Sequence, residues 1–249
     1  MAESFDTLLG GKVRVCSCVR GAKATGDSVL LASAVDRKIA PRGARVLEVG
    51  TASGAVAMCV LARLPDLRVT GIDIQSAEVA RAEKTAAANP CGKGFTALQE
   101  DILRPSAELK RQVFDLVITN PPYHRGRKSE DSSRATARSE SAPVAEWIAA
   151  CAKRLGNFGS LVLIHDAARV AEICAALTAA KLGAVEIFPI SSRANGPALR
   201  VIVRAKKGSA AGAKLFPPLV MHHGGAFSAA ARRLLEDGEA LTAVLERPI

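Results

Sequence analysis

From Ala44 onward the chain alternates between two hydrophobic rhythms. Continuous apolar runs at 45–49, 67–73 and 114–119 have the length and branched-residue content of strands buried on both faces. Between them, 54–64 and 76–89 carry apolar residues at helical spacing, and the second is closed by Pro90. A weaker strand is predicted at 95–98. The rhythm resumes with helices over 143–155 and 167–181 and strands over 159–165, 184–190 and 199–205, the last two forming an antiparallel closing pair. Strand–helix repetition of this kind predicts an α/β chain built on a mostly parallel sheet. Ahead of it, 10–21 alternates between bounding glycines and predicts a short ribbon. Asp27 caps an apolar helix running to about residue 37 and ended by Pro41. A short helix is expected within 216–239. There is no internal repeat, so 1–249 is read as a single domain, with an N-terminal ribbon and helix over 1–40, a core over 41–206 and a C-terminal extension over 207–249.

Composition adjusts this picture in three ways. The chain is 49% hydrophobic with 4% aromatic residues, so the core is expected to be aliphatic, of the kind that packs helices on a parallel sheet. No apolar run reaches the ~18 residues of a membrane helix and the first residues do not open a secretory signal, so the expected location is cytoplasmic with no membrane partner. Of the six cysteines, Cys59, Cys151 and Cys174 fall on apolar helical faces, while Cys16 and Cys18 lack a second ligand pair, so no metal is expected. His222 and His223 are read as surface or packing residues. The formal net charge of +10 fits a polyanion partner or a solvated basic surface, and charge by itself leaves both open.

Candidate chemistry concentrates at Asn120, Pro121, Pro122 and Tyr123, directly after the strand ending at Thr119. The carboxyl ends of strands are where open α/β sheets place their sites. Two consecutive prolines stiffen the backbone and remove two N–H donors while leaving every carbonyl acceptor. The Asn120 amide oxygen and a rigid carbonyl can then face an –NH2 group, and Tyr123 offers a flat surface to a planar system. That layout suits methylation of a nitrogen conjugated to a ring or a carbonyl.

A second cluster lies between the first core strand and its helix, at Glu48-Val49-Gly50-Thr51-Ala52-Ser53-Gly54. Glycines there let the backbone approach a ligand, and Asp73 follows Gly50 at close to the ~20-residue spacing at which an acid reaches ribose hydroxyls. Dinucleotides require three glycines and a phosphate-tolerant loop. Glu48 would repel phosphate and attract an ammonium, which favours S-adenosylmethionine over NAD.

With these motifs the chain resembles the class I S-adenosylmethionine-dependent methyltransferases, and within them the bacterial tRNA (adenine-N6) methyltransferases that modify an adenosine beside a valine anticodon. The similarity extends to the opening Gly-Gly-Lys-Val-Arg-Val, to residues 26–31, to Arg134-Ala-Thr-Ala-Arg138 and to Pro217-Pro218-Leu219-Val220. It implies a Rossmann-like sheet, mostly parallel with an antiparallel closing strand. It further implies cofactor contacts at Glu48, Gly50 and Gly54, the ribose at Asp73, the adenine amino group at Asp101, and Asn120 bridging cofactor and substrate. Thr51 in the loop and Asp27 at the head of the first helix complete the cofactor candidates. Ala52 replaces the family's middle glycine, where a β-carbon narrows the loop.

The basic segment after Tyr123 carries Arg125, Arg127, Lys128, Arg134 and Arg138, expected to meet RNA phosphates. Three alternatives stay open at this point. Asn-Pro-Pro-Tyr also serves enzymes that methylate a glutamine amide of release factors, although those carry a helical domain ahead of the cofactor motif and Glu48 comes early here. An rRNA base methyltransferase is a second alternative, and a non-catalytic RNA-binding module on the same fold is a third.

Overall fold

The computed structural model describes residues 4–17, 26–121 and 142–246. An antiparallel ribbon opens the chain, β1 (Phe5–Leu8) with β2 (Val13–Cys16), followed by helix α1 (Gly26–Ser33). Then come β3 (Arg45–Val49), α2 (Ala55–Arg63), β4 (Arg68–Asp73), α3 (Ser76–Ala87), β5 (Phe95–Gln99), α4 (Ala107–Arg111) and β6 (Phe114–Thr119). After the undescribed stretch follow α5 (Val144–Ala152), β7 (Leu155–Asp166), α6 (Val170–Ala179), β8 (Leu182–Ser191), β9 (Ala198–Lys207), β10 (Lys214–Leu215) and β11 (Leu219–Val220).

Among the described residues these strands form one nine-stranded sheet in the order β10-β8-β9-β7-β6-β3-β4-β5, with β11 paired to β8. β3, β4, β5, β6 and β7 run parallel, and β9 is inserted antiparallel between β7 and β8. The strand order reverses between β3 and β6, which is the switch point at which such sheets open a crevice. Side chains alternate between two cores as the pleat requires. Val46, Leu116, Ile118, Val162 and Ile164 face α1 and α2. Leu47, Val49, Val117, Leu161 and Leu163 face α5 and α6. The central strands are therefore buried on both sides, which explains their continuous apolar runs.

The N-terminal segment differs from the sequence expectation. The ribbon lies earlier than 10–21 because Gly10 and Gly11, at φ +60° and +88°, form its turn rather than its boundary. α1 stops at Ser33, short of residue 37, because the Asp36 carboxylate accepts the Lys38 N–H and closes a turn. Asp36 also takes Arg204 (2.9 Å) and the Thr242 hydroxyl (2.9 Å), tying β9 and the C-terminal segment to that turn. Toward the C-terminus a short ribbon, His222–His223 with Ala226–Phe227, precedes the short helix expected within 216–239, Ala229–Arg232, which runs on into a single π turn, Arg233–Asp237. Arg63 fastens this segment, donating to the carbonyls of Gly238 (2.6 Å) and Ala32 (2.6 Å).

Candidate active site at the carboxyl edge of the sheet

Strand register brings the two sequence clusters together. Val49 pairs with Thr119, so Gly50 and Asn120 leave the sheet side by side. Val49 also pairs with Ile72, and the Gly50 and Thr51 N–H groups both donate to the Ile72 carbonyl (2.9 Å each), folding the loop over the end of β4. Asp73 pairs with Gln99, and Glu100 N–H donates to the Asp73 carbonyl (2.9 Å). Asp101, Asp73, Gly50 and Asn120 thus stand along one edge, each just beyond or at the end of a parallel strand.

Asp73 is 8% exposed and both its oxygens are engaged, one by the Ala52 N–H (3.0 Å) and one by the Gln75 N–H (3.0 Å). Each carboxylate oxygen keeps a further lone pair for a hydroxyl donor. Burial pushes its pKa up, opposed by those two N–H groups and by the nearby Arg81, a buried guanidinium ion-paired with Glu78. Asp101 accepts the Leu103 N–H (2.8 Å).

Glu48 sits differently from its neighbours along the edge. Alternation with Val46 turns its side chain toward α2, beneath the loop, where it is 3% exposed. Burial pushes its carboxyl up to about 8, against the Thr51 hydroxyl (2.7 Å) and the Ala57 N–H that bond to it. Gly71, opposite Glu48 in register, makes room for this arrangement, since a β-carbon there would stand 2.6 Å from Thr51 Oγ1.

Ala52 has φ +46°, a left-handed conformation that costs an L-residue ~1–2 kcal/mol. The conformation delivers the Ala52 N–H to Asp73, so the loop keeps the shape a glycine would give it and carries strain. Ala52→Gly is expected to raise stability by up to about 1 kcal/mol, the relief being partly offset by the unfolded-state entropy of glycine. Urea unfolding checks this: the midpoint rises with an unchanged slope, and a lower midpoint would contradict it.

Asn120 is half-buried, and among the described residues its Oδ1 is fully buried and accepts no hydrogen bond. Pro121 beside it is buried. The strand end beneath is braced by a relay that the sequence did not disclose. The Trp147 indole N–H donates to Thr119 Oγ1 (2.9 Å), and the Thr119 hydroxyl donates to the Val49 carbonyl (3.0 Å). Trp147 also lies under Gly50, its ring 3.9 Å from where a β-carbon would be. A lone tryptophan in the helix after the basic segment was the available signal, but nothing in its spacing points to Thr119.

Of the other candidates, Asp27 is half-buried at the start of α1 and accepts from Arg200 (3.2 Å) on β9, on the far side of β7 from the loop. Gly54 takes φ +75° against Ala82, where a β-carbon would meet Ala82 Cβ at 3.3 Å. Pro122, Tyr123, Arg125, Arg127, Lys128, Arg134 and Arg138 lie outside the described residues.

These features suit S-adenosylmethionine. Asp73 has lone pairs free at the ribose position, Gly50 leaves the loop open above Trp147, and beside it Asn120 Oδ1 accepts no hydrogen bond among the described residues. No phosphate-binding triplet of glycines is present, which agrees with a phosphate-free cofactor.

Comparison with known proteins agrees with this construction. The family model of the methyltransferase small domain matches residues 23–178. A tRNA1(Val) (adenine(37)-N6)-methyltransferase of Aeromonas hydrophila is 30% identical over 167 residues, covering 66% of this chain and 69% of the relative. A protein of the same description from Porphyromonas gingivalis is 35% identical over 133 residues, about half the length of either chain (51% of each). A solved structure from Agrobacterium tumefaciens, described as a predicted O-methyltransferase, is 29% identical with a TM-score of 0.71, covering 86% of this chain and 97% of the other. The chain belongs to the methyltransferase small-domain family and is a class I enzyme that takes its methyl group from S-adenosylmethionine.

Proposed function

We propose that this enzyme methylates the N6 amino group of an unpaired adenine in RNA, with a tRNA anticodon loop as the substrate. The observation that carries the reading is the buried Asn120 Oδ1, which accepts no hydrogen bond among the described residues, next to the Gly50 loop. An exocyclic amino group is a poor nucleophile because its lone pair is delocalised into the ring. Asn120 Oδ1 and the Pro121 carbonyl would each accept one amino hydrogen, which favours a pyramidal nitrogen and localises the lone pair. When bound, S-adenosylmethionine supplies an electrophilic methyl group at that edge. Positioned acceptors that do not reorganise during the reaction provide the acceleration, and no strong base is required, because the alkylated amine is acidic and releases its proton. Tyr123 would stack on the extruded base, and a loop nucleotide is already unpaired, which lowers the cost of extrusion.

Gly50, Thr51, Gly54, Asp73 and Asp101 would line the cofactor in this reading, Glu48 would hold the loop from beneath through Thr51, and Asp27 is engaged by Arg200. The Arg125–Arg138 cations would hold the phosphates. The net charge of +10 favours RNA over a protein amide. Among the described residues no helix is long and apolar enough to cross a membrane, and a cytoplasmic location fits a tRNA substrate.

Methyl transfer from labelled cofactor to tRNA, rRNA and a release factor in parallel tests the reading. Label is expected in tRNA, with transfer weakening steeply as salt rises from 50 to 200 mM because phosphate contacts release counterions. Label confined to the release factor would overturn it.

A further inference from the structure

The carboxyl edge carries an aromatic feature that neither the cofactor loop nor Asn120 accounts for. β8 runs parallel to β7, so Ser191 ends on the same edge as Gly50 and Asn120. β11 lies beside that end, with Val220 opposite Ser191, and the chain then passes beyond the sheet. Met221 N–H donates to the Ser191 carbonyl (2.9 Å) and His222 N–H to the Ser192 carbonyl (3.0 Å). A turn at Gly224 and Gly225 returns the chain, pairing His222 with Phe227 and His223 with Ala226. The His222 and Phe227 rings stack, with centroids 5.0 Å apart and planes at 25°.

The base of this ribbon is fixed. Ser228, 5% exposed, donates from its hydroxyl to the Val220 carbonyl (2.6 Å) and from its N–H to the Met221 carbonyl (2.9 Å). Its oxygen accepts the Ala231 N–H (3.0 Å). Phe227, in contrast, is 42% exposed and belongs to neither core cluster. The adjoining turn presents an exposed arginine, Arg193, one residue from the carbonyl that anchors His222. An aromatic pair anchored at its base, with an exposed Phe227 ring on a half-buried His222, beside a cation on the reactive edge, has the chemistry of a nucleobase platform with a phosphate contact.

We propose that His222 and Phe227 stack an unpaired base of the RNA substrate other than the target adenine, and that Arg193 holds a neighbouring phosphate. The proposal rests on the RNA reading above. Four strand spacings separate β6 from β11, from which the ribbon continues, roughly 19 Å at ~4.8 Å each. That span corresponds to about six nucleotides at a stacked rise of ~3.4 Å, within the reach of one unpaired loop. Stacking accepts any base, so the platform sets the course of the strand and leaves selection of the target to Asn120.

The test uses steady-state methylation of tRNA by the full-length enzyme, with cofactor binding followed by calorimetry and melting temperature recorded for each variant. Phe227→Leu keeps an apolar side chain and removes the ring; it is expected to raise KM for tRNA on the order of tenfold, with kcat moving much less. Phe227→Tyr is expected to restore KM to within about twofold, the direct sign of stacking rather than bulk. Both should bind S-adenosylmethionine as the unaltered protein does. An unchanged KM in Phe227→Leu, with the unaltered protein active on tRNA, would overturn the platform and leave the RNA reading intact. Methyl transfer by the unaltered protein to a release factor and to no RNA would overturn both.

Discussion

Replacing Asn120 with alanine is expected to cut methyl transfer by at least about a hundredfold without destabilising the fold. The magnitude follows from losing one positioned polar group at the reacting centre. The stability expectation follows from burial. Asn120 Oδ1 is buried with no donor among the described residues, and an unmade hydrogen bond of this kind costs ~1–3 kcal/mol. Asn120→Ala removes that cost along with some packing, so the melting temperature should stay level or rise. Single-turnover transfer and a thermal melt on the same preparation separate the outcomes. Activity and stability falling together would make Asn120 a structural residue, whereas activity falling alone marks a group kept for the substrate at the expense of the fold.

Glu48→Gln is expected to stabilise the protein by a few kcal/mol at pH 9 and to change little at pH 5. In the folded chain burial raises the Glu48 carboxyl to about 8, from 4.5 for the unperturbed group. Below 4.5 both folded and unfolded chains hold the proton, so the group adds no pH dependence. Between 4.5 and 8 unfolding releases that proton, so stability falls as pH rises, and above about 8 the deficit is complete. At ~1.4 kcal/mol per pH unit the full effect is several kcal/mol, as an upper bound. Asp73, also raised by burial, adds a smaller slope of the same sign in both proteins. Asp36 and Asp66, held low by Arg204, Thr242 and Arg37, titrate below this window. Urea unfolding from pH 5 to 9 should therefore show a flatter profile for Glu48→Gln; parallel profiles would contradict the assigned burial.

Much of the sheet was legible in the chain because its strands are buried on both faces, leaving continuous runs at 45–49 and 114–119 that no amphipathic helix would produce. The edge followed from punctuation: Gly50 and Gly54 after one strand, Pro121 and Pro122 after another. Register could not be read, since the pairing of Val49 with Thr119 depends on contacts far apart in sequence. Without it, the Trp147–Thr119–Val49 relay and the fit of Gly71 beneath Thr51 had no local signature. Glu48 shows the same limit. Its place before the loop suggested a carboxylate facing a ligand, and only strand alternation shows that the side chain turns under the loop to Thr51 and Ala57. At the termini, alternating residues near Gly10 placed the ribbon too late, because a glycine pair serves equally as a turn or as a boundary. The aromatic ribbon at 222–227 is short enough that its pattern passes for loop.

Methylation of an exocyclic adenine nitrogen in unpaired RNA at this edge would leave a chemically specific product. It is tested most directly by digesting tRNA methylated with labelled S-adenosylmethionine and identifying the labelled nucleoside and its fragment by mass analysis. N6-methyladenosine is expected from an anticodon-loop fragment, and none when Asn120→Ala enzyme is used. Label in a methylated guanosine, or in a base-paired stem, would contradict it.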